Sequence, residues 1–126
     1  MEHIDTLLSA RWIIPIEPAG SVLEGHAVAI HQGRVLAVLP LDVAKQRFSP
    51  KETLERGSHV LLPGFVNAHT HAASSLLQGA VASSSFELWS HNVRLLQQRW
   101  VDAEYVREGT ELSIAAALTS GTTCFA

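Results

Sequence analysis

Apolar residues in the first forty positions come in short runs broken by turn formers: 7–9, 12–16, a Pro18-Ala19-Gly20 break, then 26–31 and 34–39. Short β-rich runs with this punctuation predict a β meander. Gln32-Gly33 separates the last two runs, with glycine at the second central position where φ > 0 is needed, so these runs are expected to form a hairpin. Along 26–31, His26, Val28 and Ile30 share one face, and Ala27, Ala29 and His31 share the other. Both faces carry apolar residues, so both are expected to be partly covered. The period then changes. Leu41, Ala44 and Phe48 recur at three and four residues and predict a short helix. Ser49-Pro50-Lys51-Glu52 has the Ser-x-x-Glu capping pattern with proline at the first helical position, which predicts a further helix start. Leu61-Leu62-Pro63-Gly64 ends the segment and places a domain boundary between 1–62 and 63–126.

Beyond the boundary, Phe65-Val66-Asn67-Ala68 opens an apolar strand. Ser84-Ser85-Phe86-Glu87 reads as a second capping box, leading into Leu88, Trp89, Val93, Leu96 and Trp100 at helical spacing. Trp89 and Trp100, eleven residues apart on one helix face, are expected in the core. Asp102 is placed to cap another helix whose Val106, Leu112, Ile114, Ala117 and Leu118 face a core, until Ser120-Gly121 stops it before a strand at 122–125. Strand, helices, strand is the order of one right-handed βαβ unit, so the fold class is α/β.

Composition narrows the function classes. The chain has 126 residues, enough to bury a core without disulfides. Cys124 is the single cysteine; it excludes an internal disulfide or a Cys-rich zinc module and is expected to be a small buried residue on the last strand. A formal net charge of −3 with no Lys/Arg cluster lacks the electrostatic footprint of nucleic-acid or anionic-membrane binding. The start carries neither a basic segment nor a long apolar one, so a cytoplasmic location is expected. There is no internal repeat, low-complexity tract or glycine-rich phosphate loop.

His69 and His71 carry the chemistry. Residues i and i+2 of a strand project to one face, so two imidazoles can converge on one point. Neutral imidazole suits zinc or iron, and two such donors make part of a catalytic site with three protein ligands and an open position for water. A bare His-x-His is common in ordinary strands and loops; its surroundings set this one apart. Leu62-Pro63-Gly64-Phe65-Val66-Asn67-Ala68-His69-Thr70-His71-Ala72 resembles the first barrel strand of the amidohydrolase superfamily, in the branch of the triazine hydrolases and the S-adenosylhomocysteine and methylthioadenosine deaminases. The flanks continue the resemblance, at Ala10-Arg11-Trp12-Ile13-Ile14-Pro15-Ile16-Glu17-Pro18, at Val106-Arg107-Glu108-Gly109-Thr110 and at Gly121-Thr122-Thr123-Cys124-Phe125.

The resemblance implies a composite β-sandwich, to which 1–62 contributes part, and a (β/α)8 barrel that begins at 63–126. It implies one divalent metal, zinc or alternatively iron(II), held by His69 and His71, and a small heterocyclic substrate attacked by metal-activated water. A full barrel takes roughly 250 residues, of which residues 65–126 supply about a quarter. The remaining ligands and the acid/base residue are therefore expected beyond residue 126, and this chain is expected to be the inactive N-terminal part of a deaminase. The alternatives are a triazine-type hydrolase and a non-catalytic association module whose uncovered edges favour homo-oligomers. For substrate contacts the candidates are Trp89 and Gln98. Gln98 stands where the deaminases carry a ribose-binding glutamate, and Gln78-Gly79 stands where they carry Arg-Gly. A neutral amide offers one acceptor oxygen where a carboxylate offers two, which puts adenosine-type recognition in doubt. His91 reads as a surface histidine of the helix.

Overall fold

The computed structural model describes residues 1–82 and 85–126 and divides into two units, Met1–Pro63 and Gly64–Ala126. In the first unit, β1 (Glu2–Ile13) is the central strand. It joins the two runs expected as separate strands, across a register shift between Ala10 and Trp12 that leaves Arg11 exposed with its guanidinium 4.2 Å from the centre of the Trp12 ring. At its far end β1 pairs with β2 (Leu23–Glu24), and at 6–9 with β3 (His26–His31), both antiparallel. The expected hairpin joins β3 to β4 (Arg34–Pro40). Its turn residues Gln32 and Gly33 have φ of 50° and 72°, the pair of positive values a primed turn needs. Glycine adopts such a φ freely; Gln32 is held there by its N–H donating to Asp5 Oδ2 at 2.7 Å.

The helix expected from Leu41, Ala44 and Phe48 is α1 (Leu41–Arg47), with Ala44 fully buried and Phe48 2% exposed just past its end. The helix start expected at Ser49-Pro50-Lys51-Glu52 is overturned. Phe48–Leu61 is a 14-residue strand, β5, parallel to β1. No apolar face at three-to-four spacing follows the capping pattern, so nothing supports a helix. Pro50 is tolerated because β5 pairs with β1 alone and its missing N–H costs no ladder bond on the free side. The sheet is accordingly mixed rather than a meander: β5 returns to the edge of β1 opposite β3. Both faces of β3 are covered, with Ala27, Val28 and Ala29 all buried. Ala27 and Ala29 pack with Ile4, Leu7, Ala44 and Phe48, and Val28 packs with Ala10 and Ile13.

The second unit pairs β6 (Phe65–Asn67) with β7 (Thr122–Phe125) in parallel, Phe65 opposite Thr122 and Asn67 opposite Phe125. Between them come a 3-10 helix (Ala72–Leu77), α2 (Phe86–Trp100) and α3 (Ala103–Thr119). Strand, helices and parallel strand make a mixed α/β arrangement. Ser85 caps α2 by accepting from the Leu88 N–H; the Ser84 half of the expected capping box lies outside the described residues. Asp102 caps α3 as expected, accepting from the Tyr105 N–H at 2.8 Å. Side-chain burial departs from expectation. Val106, Leu112, Ile114 and Leu118 are 40–61% exposed, Trp89 and Trp100 are 41% and 57% exposed, and Cys124 is exposed too. Periodicity identifies an apolar face and is silent on what covers it; among the described residues of this unit only Gly109 is buried. Among the described residues no helix is long and apolar enough to cross a membrane.

Candidate metal centre

The strand ends before the histidines. β6 stops at Asn67, so His69 and His71 lie in the irregular chain after its C-terminal end rather than on a strand face as expected. Two local devices bring the rings together regardless. The Asn67 side-chain Oδ1 accepts the His69 N–H at 3.1 Å, an Asx turn that takes the chain out of the sheet. The His71 carbonyl then accepts the Ser74 N–H at 2.8 Å and starts the 3-10 helix. The two ring centres are 4.9 Å apart with planes at 85°, and both residues are exposed. An ion bonded tetrahedrally to two ring nitrogens at about 2.1 Å holds the ring centres about 5 Å apart, a separation like the one seen here. Among the described residues no group of three or more His, Cys, Asp or Glu exists to complete a set.

The 3-10 helix is fastened to α3. A Cβ on Gly109 would stand 2.2 Å from the Ala73 carbonyl oxygen, so only glycine admits this approach. One turn along α3, the Ser113 hydroxyl donates to the Ala72 carbonyl at 3.0 Å, the Ser75 hydroxyl reaches the same oxygen at 2.9 Å, and the two hydroxyls touch each other. Beside this knot a hollow of about 570 Å³ has His71 on its wall together with Trp89, Val93 and Gln97 of α2 and Ser74 and Gln78. Gln97 Nε2 donates to Ser74 Oγ at 3.2 Å. A second hollow of about 310 Å³ shares Thr70, Ser75, Gln78 and Ser113 with the first and extends to Asn67 and Phe125. Among the described residues, neither lining contains Asp, Glu, Lys or Arg.

The structure thus brings His69, His71 and Trp89 into one region and leaves Gln98 out. Gln98 is exposed beside Arg94, Val101 and Tyr105, in a different recess from His71. The cause is helical pitch: nine residues separate Trp89 from Gln98, a rotation of about 180°, while Val93 and Gln97 lie within about 80° of Trp89. Applied to the sequence, that rotation finds Gln97. Asn67, spaced as an Asx-turn former before His69, was legible in the same way; Ser75 and Ser113, 38 positions apart, left no sequence signal. His91 is an exposed residue of α2.

Residues 60–126 match the amidohydrolase family. A 5-methylthioadenosine/S-adenosylhomocysteine deaminase of Saccharophagus degradans is 35% identical over 122 residues, which cover 96% of this chain and 27% of that protein. The crystal structure of an adenosine deaminase from Xanthomonas campestris with bound zinc superposes with a TM-score of 0.93 at 41% identity, over 98% of this chain and 28% of that one. A triazine hydrolase from Arthobacter aurescens shares the fold, with a TM-score of 0.78 at 18% identity, over 95% of this chain and 27% of that one. The chain therefore spans little more than a quarter of the length of the proteins it matches.

Proposed function

Because the chain belongs to the amidohydrolase family, we propose that it supplies His69 and His71 as metal ligands of a hydrolase that removes the amino group from a purine-like heterocycle. The observation that carries this reading is the closeness of the two imidazoles, 4.9 Å between centres, directly after the C-terminal end of a parallel strand. Strand ends of that kind hold the active site when strands and helices alternate around a barrel. In this reading 63–126 opens such a barrel and 1–62 contributes part of a composite β-sandwich. Zinc is the proposed ion, in line with the metal of the Xanthomonas protein, and iron(II) is the alternative. When bound, the ion would acidify a water for attack on the ring carbon that bears the amine.

The chain's own residues act around that step. Asn67 and Ser74 fix the backbone of the two histidines through hydrogen bonds of 3.1 and 2.8 Å. Trp89 offers an aromatic surface on the wall that also holds His71, and the Gln97 amide offers one acceptor and spare donor capacity. A lining without charged side chains suits an uncharged heterocycle. The remaining ligand positions and the proton-shuttling group would have to come from outside these 126 residues, since no group of three or more candidate ligands exists among the described ones. A second reading, hydrolysis of another ring substituent such as the chlorine of a triazine, draws on the same neutral lining, which has no carboxylate to take a ribose diol.

The test is a chimera in which these 126 residues replace the matching segment of the Saccharophagus deaminase. Ammonia release is measured with methylthioadenosine, S-adenosylhomocysteine and aminated triazines, and chloride release with chlorinated triazines. The proposal expects zinc-dependent deamination of the nucleosides, lost in His69→Ala and His71→Ala. An active chimera that is indifferent to both substitutions would contradict it, and activity on triazines alone would favour the second reading.

A further inference from the structure

We infer that Ser113 of α3 is a positioning residue for His71, acting through the backbone of the 3-10 helix; the inference rests on His71 being a metal ligand. A serine inside a helix ordinarily turns its hydroxyl back to a carbonyl of the preceding turn. This helix does so at its C-terminal end, where Thr119 Oγ1 donates to the Ala115 carbonyl at 3.0 Å and Ser120 Oγ to the Ala116 carbonyl at 2.9 Å. Ser113 instead reaches across to the Ala72 carbonyl, 41 residues away in sequence and one residue after His71.

The contact is reinforced on the same face of α3. Gly109 lies four residues earlier and lets the helix backbone come against Ala73. Ser75, on the 3-10 helix itself, bonds the same Ala72 oxygen and the Ser113 hydroxyl. Two hydroxyl protons are shared among three oxygen pairs, so two of the three contacts are hydrogen bonds at any moment and the Ala72 carbonyl always keeps at least one of the two serines as a donor. His71 is flanked by this fastening and by its own carbonyl bond to Ser74 at 2.8 Å. With its backbone held on that side, its imidazole loses less freedom when it meets a metal alongside His69. Groups that orient a metal ligand in this way set affinity without touching the ion.

The experiment is a zinc titration of the 126-residue chain with ¹⁵N-labelled histidine, following the ring nitrogens of His69 and His71 by NMR, with backbone amide spectra as a check on folding. Wild type is compared with Ser113→Ala, Ser113→Thr, Ser75→Ala and His71→Ala. We expect Ser113→Ala to weaken zinc binding about tenfold while the amide spectrum outside the knot is kept. Ser113→Thr, which retains the hydroxyl, should restore wild-type affinity. Should Ser113→Ala fail to fold, Ser75→Ala breaks the same arrangement from the other side and should weaken binding likewise. Wild-type affinity in both serine-to-alanine variants, with binding lost in His71→Ala, would overturn the positioning role and leave the metal reading standing. Equal weakening in Ser113→Ala and Ser113→Thr would also overturn it, because the hydroxyl would then not be the acting group. Ring nitrogens that do not respond to zinc in the wild type would remove the metal reading and this inference with it.

Discussion

At the residue scale, Asp5 is the group with the most perturbed titration. Its carboxylate accepts from Lys51 Nζ at 2.7 Å and from the Gln32 N–H at 2.7 Å, and lies 3.2 Å from His31 Nδ1. These partners, the Lys51 hydrogen bond foremost, lower its pKa to about 2. Its folded-state pKa is below the unfolded value, so its contribution to stability is present above about pH 4 and is lost as pH falls toward 2. Asp5→Asn should lower the urea midpoint of the Met1–Pro63 unit at pH 7 and flatten its decline between pH 4 and pH 2; an unchanged acid decline would show that Asp5 is not its source. The same scale shows what the sequence could convey about the site. His69 and His71 were legible from spacing and context, although the mechanism of their convergence is an Asx turn and a 3-10 start rather than a strand face. Gln98 was chosen by counting residues from Trp89, and helical rotation turns it about 180° from Trp89, into a neighbouring recess that shares Ser74 and Gln97 with the hollow of His71.

At the element scale, patterns that depend on near neighbours were readable and patterns that depend on partners were not. The β3–β4 hairpin, α1 and the Asp102 cap follow from turn chemistry and spacing within a few residues. β5 was misread because Ser49-Pro50-Lys51-Glu52 satisfies a local capping rule, while its true state is set by pairing along β1, more than forty positions upstream. Two substitutions probe these elements. Phe48→Ala removes a side chain 2% exposed at the junction of α1 and β5 and should destabilise the Met1–Pro63 unit by about 3–5 kcal/mol in chemical denaturation; a loss under about 1 kcal/mol would mean the cluster around Ile4 and Leu7 does not depend on it. Gly109→Ala places a methyl against the Ala73 carbonyl and should cost the Gly64–Ala126 unit about 1–3 kcal/mol. A neutral outcome would show that the approach of α3 to the 3-10 helix is looser than described.

At the scale of the whole molecule, burial is uneven. Among the described residues the Met1–Pro63 unit holds all of the buried hydrophobic ones, while the other leaves Phe65, Val66, Trp100 and Leu118 more than half exposed. Hydrogen exchange should therefore protect β1 and β3 well above β6 and β7, and equal protection would contradict the division. The uncovered apolar faces should also make the chain self-associate as concentration rises, which sedimentation velocity would detect. The central claim concerns the histidine pair, and calorimetric titration of the 126-residue chain with zinc tests it most directly. The account predicts weak binding of one ion, absent from a His69→Ala/His71→Ala double variant. Tight stoichiometric binding that persists in the double variant would contradict it.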